Sequence, residues 1–186
     1  TEPVKMNLFP GEKITVNNLL YGLLVGSAND AALALATHFP QDEVGFVKAM
    51  NQKAADLNLS NTQYTNPIGL DNYGQYTTVH DLSLLTAAAM NQSVFRSIVN
   101  TLKYTVTDVD KTKIHELENL NQLLGQIPGL VGVKTGYTDL ADIAYDPVST
   151  NLFLLSQENN IIIEATTTGT IIGTRAVDTG IFTQPE

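Results

Sequence analysis

Two short groups of residues could carry chemistry in this chain. Lys134-Thr135-Gly136 places an ammonium, a hydroxyl and a glycine in a row after a β-type run, in a chain with only 10 basic residues. Ser27-Ala28-Asn29 places a hydroxyl and an amide at a break between two apolar helical stretches. A strand end bearing Lys and Thr can receive a carboxylate-bearing ligand. The same residues also make an ordinary strand followed by a turn. A Ser-x-Asn at a helix break exposes both side chains to a cleft, yet it also suits the cap of the helix that follows. The two groups lie 107 residues apart, so only tertiary structure can bring them together.

The elements that must position them can be read from the pattern. Thr15 is placed to cap a helix running to about Val25, with Leu19, Leu20, Leu23 and Leu24 on one face. Gly26 and Ser27 interrupt it, and DAALALATHF resumes the helix. A third helix follows in DEVGFVKAMNQKAADLNL, with Val44, Val47, Met50 and Ala54 as its apolar stripe. NTQYTNPIGLDNYGQYTT is rich in Asn, Gly and Thr and reads as a long loop. Thr78 with Asp81 resembles a capping box for the helix LSLLTAAAM, and His80 falls in its first turn as a surface histidine. SVFRSIV reads as a short helix, KYTVTDV as a strand, HELENLNQLLG as mixed, and GLVGVKTGYT as a strand. Beyond about Thr138 the character changes. IAYD, LFLLS, IIIEATT and TIIGTRAV are four short strand candidates separated by turn-like PVSTN, QENN and TG. A boundary is expected near 139–142, dividing the chain into 1–139 and 140–186. No internal repeat is visible.

Composition narrows the classes. The chain has 186 residues, 43% hydrophobic and 16% charged, enough to build a core. Its net charge of −9 argues against a nucleic-acid partner, which would call for a basic face. It has no cysteine, so disulfides, thiolate nucleophiles and cysteine-bound zinc are excluded. His38, His80 and His115 show no ligand spacing, and no metal is expected. No apolar run reaches membrane-spanning length, and no signal peptide opens the chain. With no initiating Met, Thr1 reads as a processed, trimmed or cloned terminus.

Ser-x-Asn followed by Lys-Thr-Gly, in these contexts, resembles part of the motif set of serine β-lactamases and penicillin-binding proteins. The likeness extends to PGEKITVNNLLYGLLVGSANDAALALA, NTQYTNPIGLDNYGQYTTVHDLSLL and NQLLGQIPGLVGVKTGYT. Residues 3 to about 139 resemble a serine-type D-alanyl-D-alanine carboxypeptidase, a low-molecular-mass penicillin-binding protein. The resemblance implies an α+β fold of the β-lactamase and penicillin-binding class, partial here, with a helical lobe and antiparallel strands. It implies attack by a serine on a peptidoglycan stem peptide ending in D-Ala-D-Ala, an acyl-enzyme, and hydrolysis without a cofactor. β-Lactams, which mimic that dipeptide, are implied ligands, and an extracytoplasmic location facing the wall is implied as well. By the same resemblance, Ser27 would relay a proton toward the leaving amine, and Asn29 would hydrogen-bond the substrate amide. Lys134 would lend positive charge beside the nucleophile and the substrate carboxylate. Thr135 would hydrogen-bond that carboxylate, and Gly136 would admit the substrate backbone closely.

Two departures qualify this reading. The nucleophile of that family lies in a Ser-x-x-Lys segment upstream of Ser-x-Asn. None of the serines at 27, 60, 83, 93, 97, 149 and 156 has Lys three positions on. The chain as given is therefore expected not to be a competent carboxypeptidase. It reads as a fragment or fusion, as one piece of a protein whose missing segment a second chain supplies, or as a non-catalytic binding module for peptidoglycan peptides or a protein. The second departure is the region after KTGYTD. IAYDP…LFLLS…NNIIIEA…G resembles one blade of a β-propeller of the SdiA-regulated type. One blade cannot close a propeller. The segment is expected instead to lend strands to the sheet interrupted at Thr138. The basic residue that the family carries on a later strand has no clear counterpart; Arg175 is the only arginine there.

Overall fold

The structure is a computed structural model that describes residues 4–70, 72–136, 142–146, 151–156, 161–166 and 170–176. Among these, helices precede strands. They are α1 (Val16–Leu24), α2 (Asn29–Thr37), α3 (Asp42–Asp56), α4 (Val79–Met90) and α5 (Ser93–Val99). The strands are β1 (Lys103–Thr107), β2 (Ile114–Glu118), β3 (Val133–Lys134), β4 (Asp142–Asp146), β5 (Asn151–Ser156), β6 (Ile161–Thr166) and β7 (Ile171–Ala176). β1 and β2 form a two-stranded antiparallel sheet, with Val106 opposite His115. β3 to β7 form a second sheet in sequence order, each strand antiparallel to the next. No helix among the described residues is long and apolar enough to cross a membrane.

The helix starts follow from local chemistry. The Thr15 hydroxyl accepts from the Asn18 amide at 3.2 Å, and that of Thr78 from the Asp81 amide at 3.1 Å. Each satisfies a donor that the first helical turn leaves without a partner. The Asp81 carboxylate also reaches back to the long loop. It accepts from the Asn61 amide and the Thr62 hydroxyl, both at 2.8 Å, and so binds the loop to α4.

The main core joins α1, α2, α5, β1 and β2 through Leu19, Val25, Ala31, Ile98, Val106 and Leu117, together with Met6 from the N-terminal segment. Val25, Ile98 and Val106 are essentially inaccessible, and full burial of such a side chain is worth about 1.5–3 kcal/mol. Tyr21 of α1 stacks on Tyr104 of β1 with ring centroids 3.6 Å apart. A second cluster packs Met90, Val99 and Val133, with Leu24 touching both clusters. This second cluster fixes β3 against α4 and α5.

Two readings of the pattern are corrected. Val44 is exposed rather than part of the apolar stripe of α3, whereas Ala54 is buried as the pattern implies, Val47 and Met50 are half-buried, and Gly45 is buried as well. A Cβ on Gly45 would collide with the Pro40 carbonyl oxygen, so only glycine fits where the helix packs on the preceding turn. Among the described residues, the strand read across GLVGVKTGYT narrows to Val133–Lys134, because the Leu130 amide folds back onto the Ile127 carbonyl in a turn; Tyr137 and Thr138 lie outside them. The four strands read after 138 all form, as β4 to β7. Most of the expected boundary near 139–142, and most of the intervening turns, lie outside the described residues.

Candidate active site

The Ser-x-Asn group sits where α1 gives way to α2. The Val25 amide closes the last turn of α1 on the Tyr21 carbonyl, after which the chain must change direction. Gly26 passes close to β2, where a Cβ would lie 3.0 Å from Leu117 Cδ2. Ser27 then adopts φ +54°, a left-handed conformation that L-residues with a Cβ occupy at some cost. The Ala28 amide donates to the Gly22 carbonyl at 3.0 Å, and the Ala28 methyl is fully buried. Asn29 opens α2, and its backbone amide donates to the Val4 carbonyl at 2.8 Å.

Asp30 secures this turn from outside. Its two carboxylate oxygens accept from the Met6 and Leu8 amides, each at 3.0 Å, and one also accepts from the Ala31 amide. The segment 4–8, in which Asn7 turns the backbone at φ +62°, is thereby bound along the start of α2.

Lys134 approaches from the other side. On β3, Val133 points into the cluster with Met90 and Val99, which leaves Lys134 on the opposite face. Gly132 allows the strand to lie flush on α5, since a Cβ there would stand 2.9 Å from Val99 Cγ2. The Lys134 ammonium donates to Ser27 Oγ at 2.6 Å and to its neighbour's carbonyl oxygen, that of Thr135, at 2.7 Å. The structure thus brings Ser27 and Lys134 into direct contact across 107 residues. Thr135 is half-buried beside them, and Gly136 is exposed. Asn29 lies two residues along the same turn, half-buried, and its side chain makes no hydrogen bond among the described residues.

In chemical terms, an ammonium held on a hydroxyl favours negative charge in its vicinity. It can receive a carboxylate and ease proton movement through the hydroxyl. The histidines stand elsewhere. His80 is a surface residue whose ring approaches Asp81, while His115 is buried on β2. No three His, Asp or Glu side chains among the described residues converge as metal ligands.

A family model described as D-alanyl-D-alanine carboxypeptidase matches residues 1–151. The chain belongs to the D-alanyl-D-alanine carboxypeptidase family. It is 38% identical over 132 residues to the D-alanyl-D-alanine carboxypeptidase DacF of Bacillus subtilis, a stretch covering 70% of this chain and 33% of that protein. It is 37% identical over 145 residues to the D-alanyl-D-alanine carboxypeptidase of a Streptomyces species, covering 73% of this chain and 50% of the relative. The chain therefore spans between a third and a half of the length of these two curated relatives. Among solved structures, it superposes on the Streptomyces DD-transpeptidase with a TM-score of 0.68 at 32% identity, covering 94% of this chain and 64% of that one. A D-alanyl-D-alanine carboxypeptidase from Mycobacterium tuberculosis superposes with a TM-score of 0.69 at 34% identity, covering 78% and 56%. The fold is accordingly the α+β architecture of that carboxypeptidase and transpeptidase class, present in part.

Sequence reasoning did not find the residues that hold the site. Asp30 directly follows Asn29, and an acid in the first turn of a helix is a recognisable signal, but its partners at Met6 and Leu8 are not visible in the pattern. The pairing of His115 with Glu12 has no local signal at all, since 103 residues separate them.

Proposed function

We propose that this chain forms the Ser-x-Asn and Lys-Thr-Gly walls of a cleft that receives peptidoglycan stem peptides ending in D-Ala-D-Ala. The observation that carries the reading is the 2.6 Å contact between Lys134 Nζ and Ser27 Oγ, which joins the two groups at one place. In the complete reaction a serine hydroxyl adds to the carbonyl of the penultimate D-Ala. The amide C–N bond breaks, the terminal D-Ala leaves as a protonated amine, and water then cleaves the acyl ester. Within that scheme Lys134 and Thr135 hold the substrate carboxylate, and Asn29 aligns the scissile amide. Ser27 passes a proton toward the leaving amine, and Gly136 leaves room for the substrate backbone. β-Lactams occupy the same place. The substrate class puts the protein outside the cytoplasmic membrane, facing the wall.

The attacking serine is not among these residues, because no serine in the sequence is followed three positions later by Lys. The same observation favours a second reading, in which the chain binds the peptide without turnover. Under the first reading a Ser-x-x-Lys segment, on sequence outside these 186 residues or on a second chain, completes the site. Residues 140–186 act as a separate unit in origin that lends strands to the sheet begun by β3.

The test is intact mass after incubation with a penicillin, together with titration of a D-Ala-D-Ala peptide into wild type and Lys134→Ala. The reading expects peptide binding that weakens about ten-fold or more when the charge-assisted contact is lost. Equal binding by both forms would overturn it. A penicillin adduct on this chain would place a reactive serine within it and refute the assignment of the nucleophile elsewhere.

A further inference from the structure

The buried pair formed by His115 and Glu12 lies outside the machinery described so far. Their side chains are 6% and 2% exposed. His115 Nδ1 lies 2.8 Å from the Met6 carbonyl oxygen, and Nε2 lies 2.6 Å from Glu12 Oε1. The other Glu12 oxygen accepts from the Phe9 amide at 2.9 Å. The donor count is decisive here. A carbonyl oxygen can only accept, so Nδ1 must carry a hydrogen. A neutral imidazole then has only a lone pair at Nε2, facing a carboxylate oxygen at 2.6 Å. That arrangement is repulsive unless one more proton lies between them. With a single N–H the ring can serve Met6 or Glu12, but not both.

The pair is also connected to the Ser27 turn. The Met6 backbone carbonyl meets His115 and the Met6 amide donates to Asp30, so the two peptide units that flank its Cα face opposite partners. Asp30 adjoins Asn29, whose amide is held by Val4 of the same segment. The segment 4–12 is therefore clamped between β2 and the first turn of α2. The charged groups around it are Lys5, Glu116 and Glu118, which line a cleft of about 510 Å3 with His115, and Asp30 on α2. Lys113 lies 4.4 Å over the Phe9 ring, which in turn is 6.5 Å from the His115 ring.

We propose that His115 and Glu12 form a proton-held clasp that fastens the N-terminal segment to β2, and that loss of its proton loosens the Asn29–Asp30 turn. The sign follows from the donor count. Both bonds are present while the proton is bound, and one of them is lost as pH rises and the proton leaves. Glu12→Gln separates this from a purely structural role. A glutamine amide can donate to a neutral Nε2 while its oxygen still accepts from Phe9, so the clasp no longer needs the extra proton.

The experiment is hydrogen exchange at the Met6, Leu8 and Asn29 amides of the full chain at a series of pH values from about 5 to 9. It is paired with the imidazole nitrogen chemical shifts of His115 in wild type. The expected result is that protection factors of these amides fall about ten-fold across the range in wild type and stay level in Glu12→Gln. Both ring nitrogens should carry hydrogen at the acid end. Level protection in wild type, parallel loss in the variant, or an Nδ1 without hydrogen at the acid end would each overturn the proposal.

Discussion

Asp30→Ala offers a direct measure of what holds the candidate site in place. The wild-type carboxylate receives the Met6 and Leu8 amides at 3.0 Å and also serves its own helix through the Ala31 amide. A hydrogen bond to a charged group contributes about 1.5–3 kcal/mol, and a buried donor left without a partner costs about 1–3 kcal/mol. Met6 is only 6% exposed, so its amide has little access to water once the acceptor is gone. Leu8 is half-buried and can recover part of its bond from solvent. Asp30 is itself partly exposed, which reduces the charged contribution. The loss is therefore set near the Met6 value plus a fraction of the second bond, about 2–4 kcal/mol. For a chain of this size that corresponds to a drop in Tm of about 5–15 °C. Asp30→Asn keeps one acceptor but turns an NH2 toward the other amide, so its loss falls between wild type and alanine. Urea unfolding at neutral pH supplies the free energies, and exchange at the Met6 and Leu8 amides locates the effect. A loss below about 0.5 kcal/mol with those amides still protected would refute the view that Asp30 clamps the segment.

Acid should destabilise the fold through two carboxylates. Burial opposes ionisation of Asp81, but the Thr62 hydroxyl, the Asn61 amide, the His80 ring and Thr78 outweigh it and hold the carboxyl below its usual range. The Lys113 amide leads the same effect at Asp108, against some desolvation and with help from the Thr112 hydroxyl and amide. Their contribution is present above the unfolded carboxylate value of about 3.9 and is lost as pH falls through the lower folded values. Denaturation midpoints followed from about pH 5 to pH 2 should fall for wild type and fall less steeply for Asp81→Asn; identical slopes would contradict the assignment. Gly132→Ala should cost about 1–3 kcal/mol, because its Cβ would stand 2.9 Å from the buried Val99 side chain and φ is +142°. It should also weaken D-Ala-D-Ala peptide binding by displacing Lys134, and unchanged melting with unchanged binding would count against that packing.

The parts legible in the sequence are those governed by local chemistry. Thr15 and Thr78 announce their helices because a cap acts within one turn. β4 to β7 are recognisable from short apolar runs separated by turn residues. Ser27 and Lys134 stand out by residue type, and they do meet. What escaped depends on partners distant in sequence or on backbone packing. The stripe on α3 was misplaced at Val44 because Gly45, which adds no apolar signal, is the residue that packs on the Pro40 turn. β3 was read too long because GLVG has strand composition but is taken up by a turn. Asp30, Met6 and His115 look unremarkable in isolation, and their importance arises only when segment 4–12 is laid between α2 and β2.

The separations of these contacts also bear on the order in which the molecule assembles. The strands β4 to β7 pair with immediate neighbours, and each such hairpin closes a short loop. The contacts that define the candidate site close much longer loops, 107 residues for Ser27 with Lys134 and 109 for Met6 with His115. Loop-closure entropy rises with the length enclosed, and structures rich in distant contacts fold more slowly. The carboxy-terminal meander is thus expected to acquire protection early in refolding, with the Ser27 turn among the last regions to become native. Pulse-labelled exchange would show this as a lag between the β5–β6 amides and those of Met6 and Asn29. During that interval the chain would already have a sheet while its cleft had yet to form.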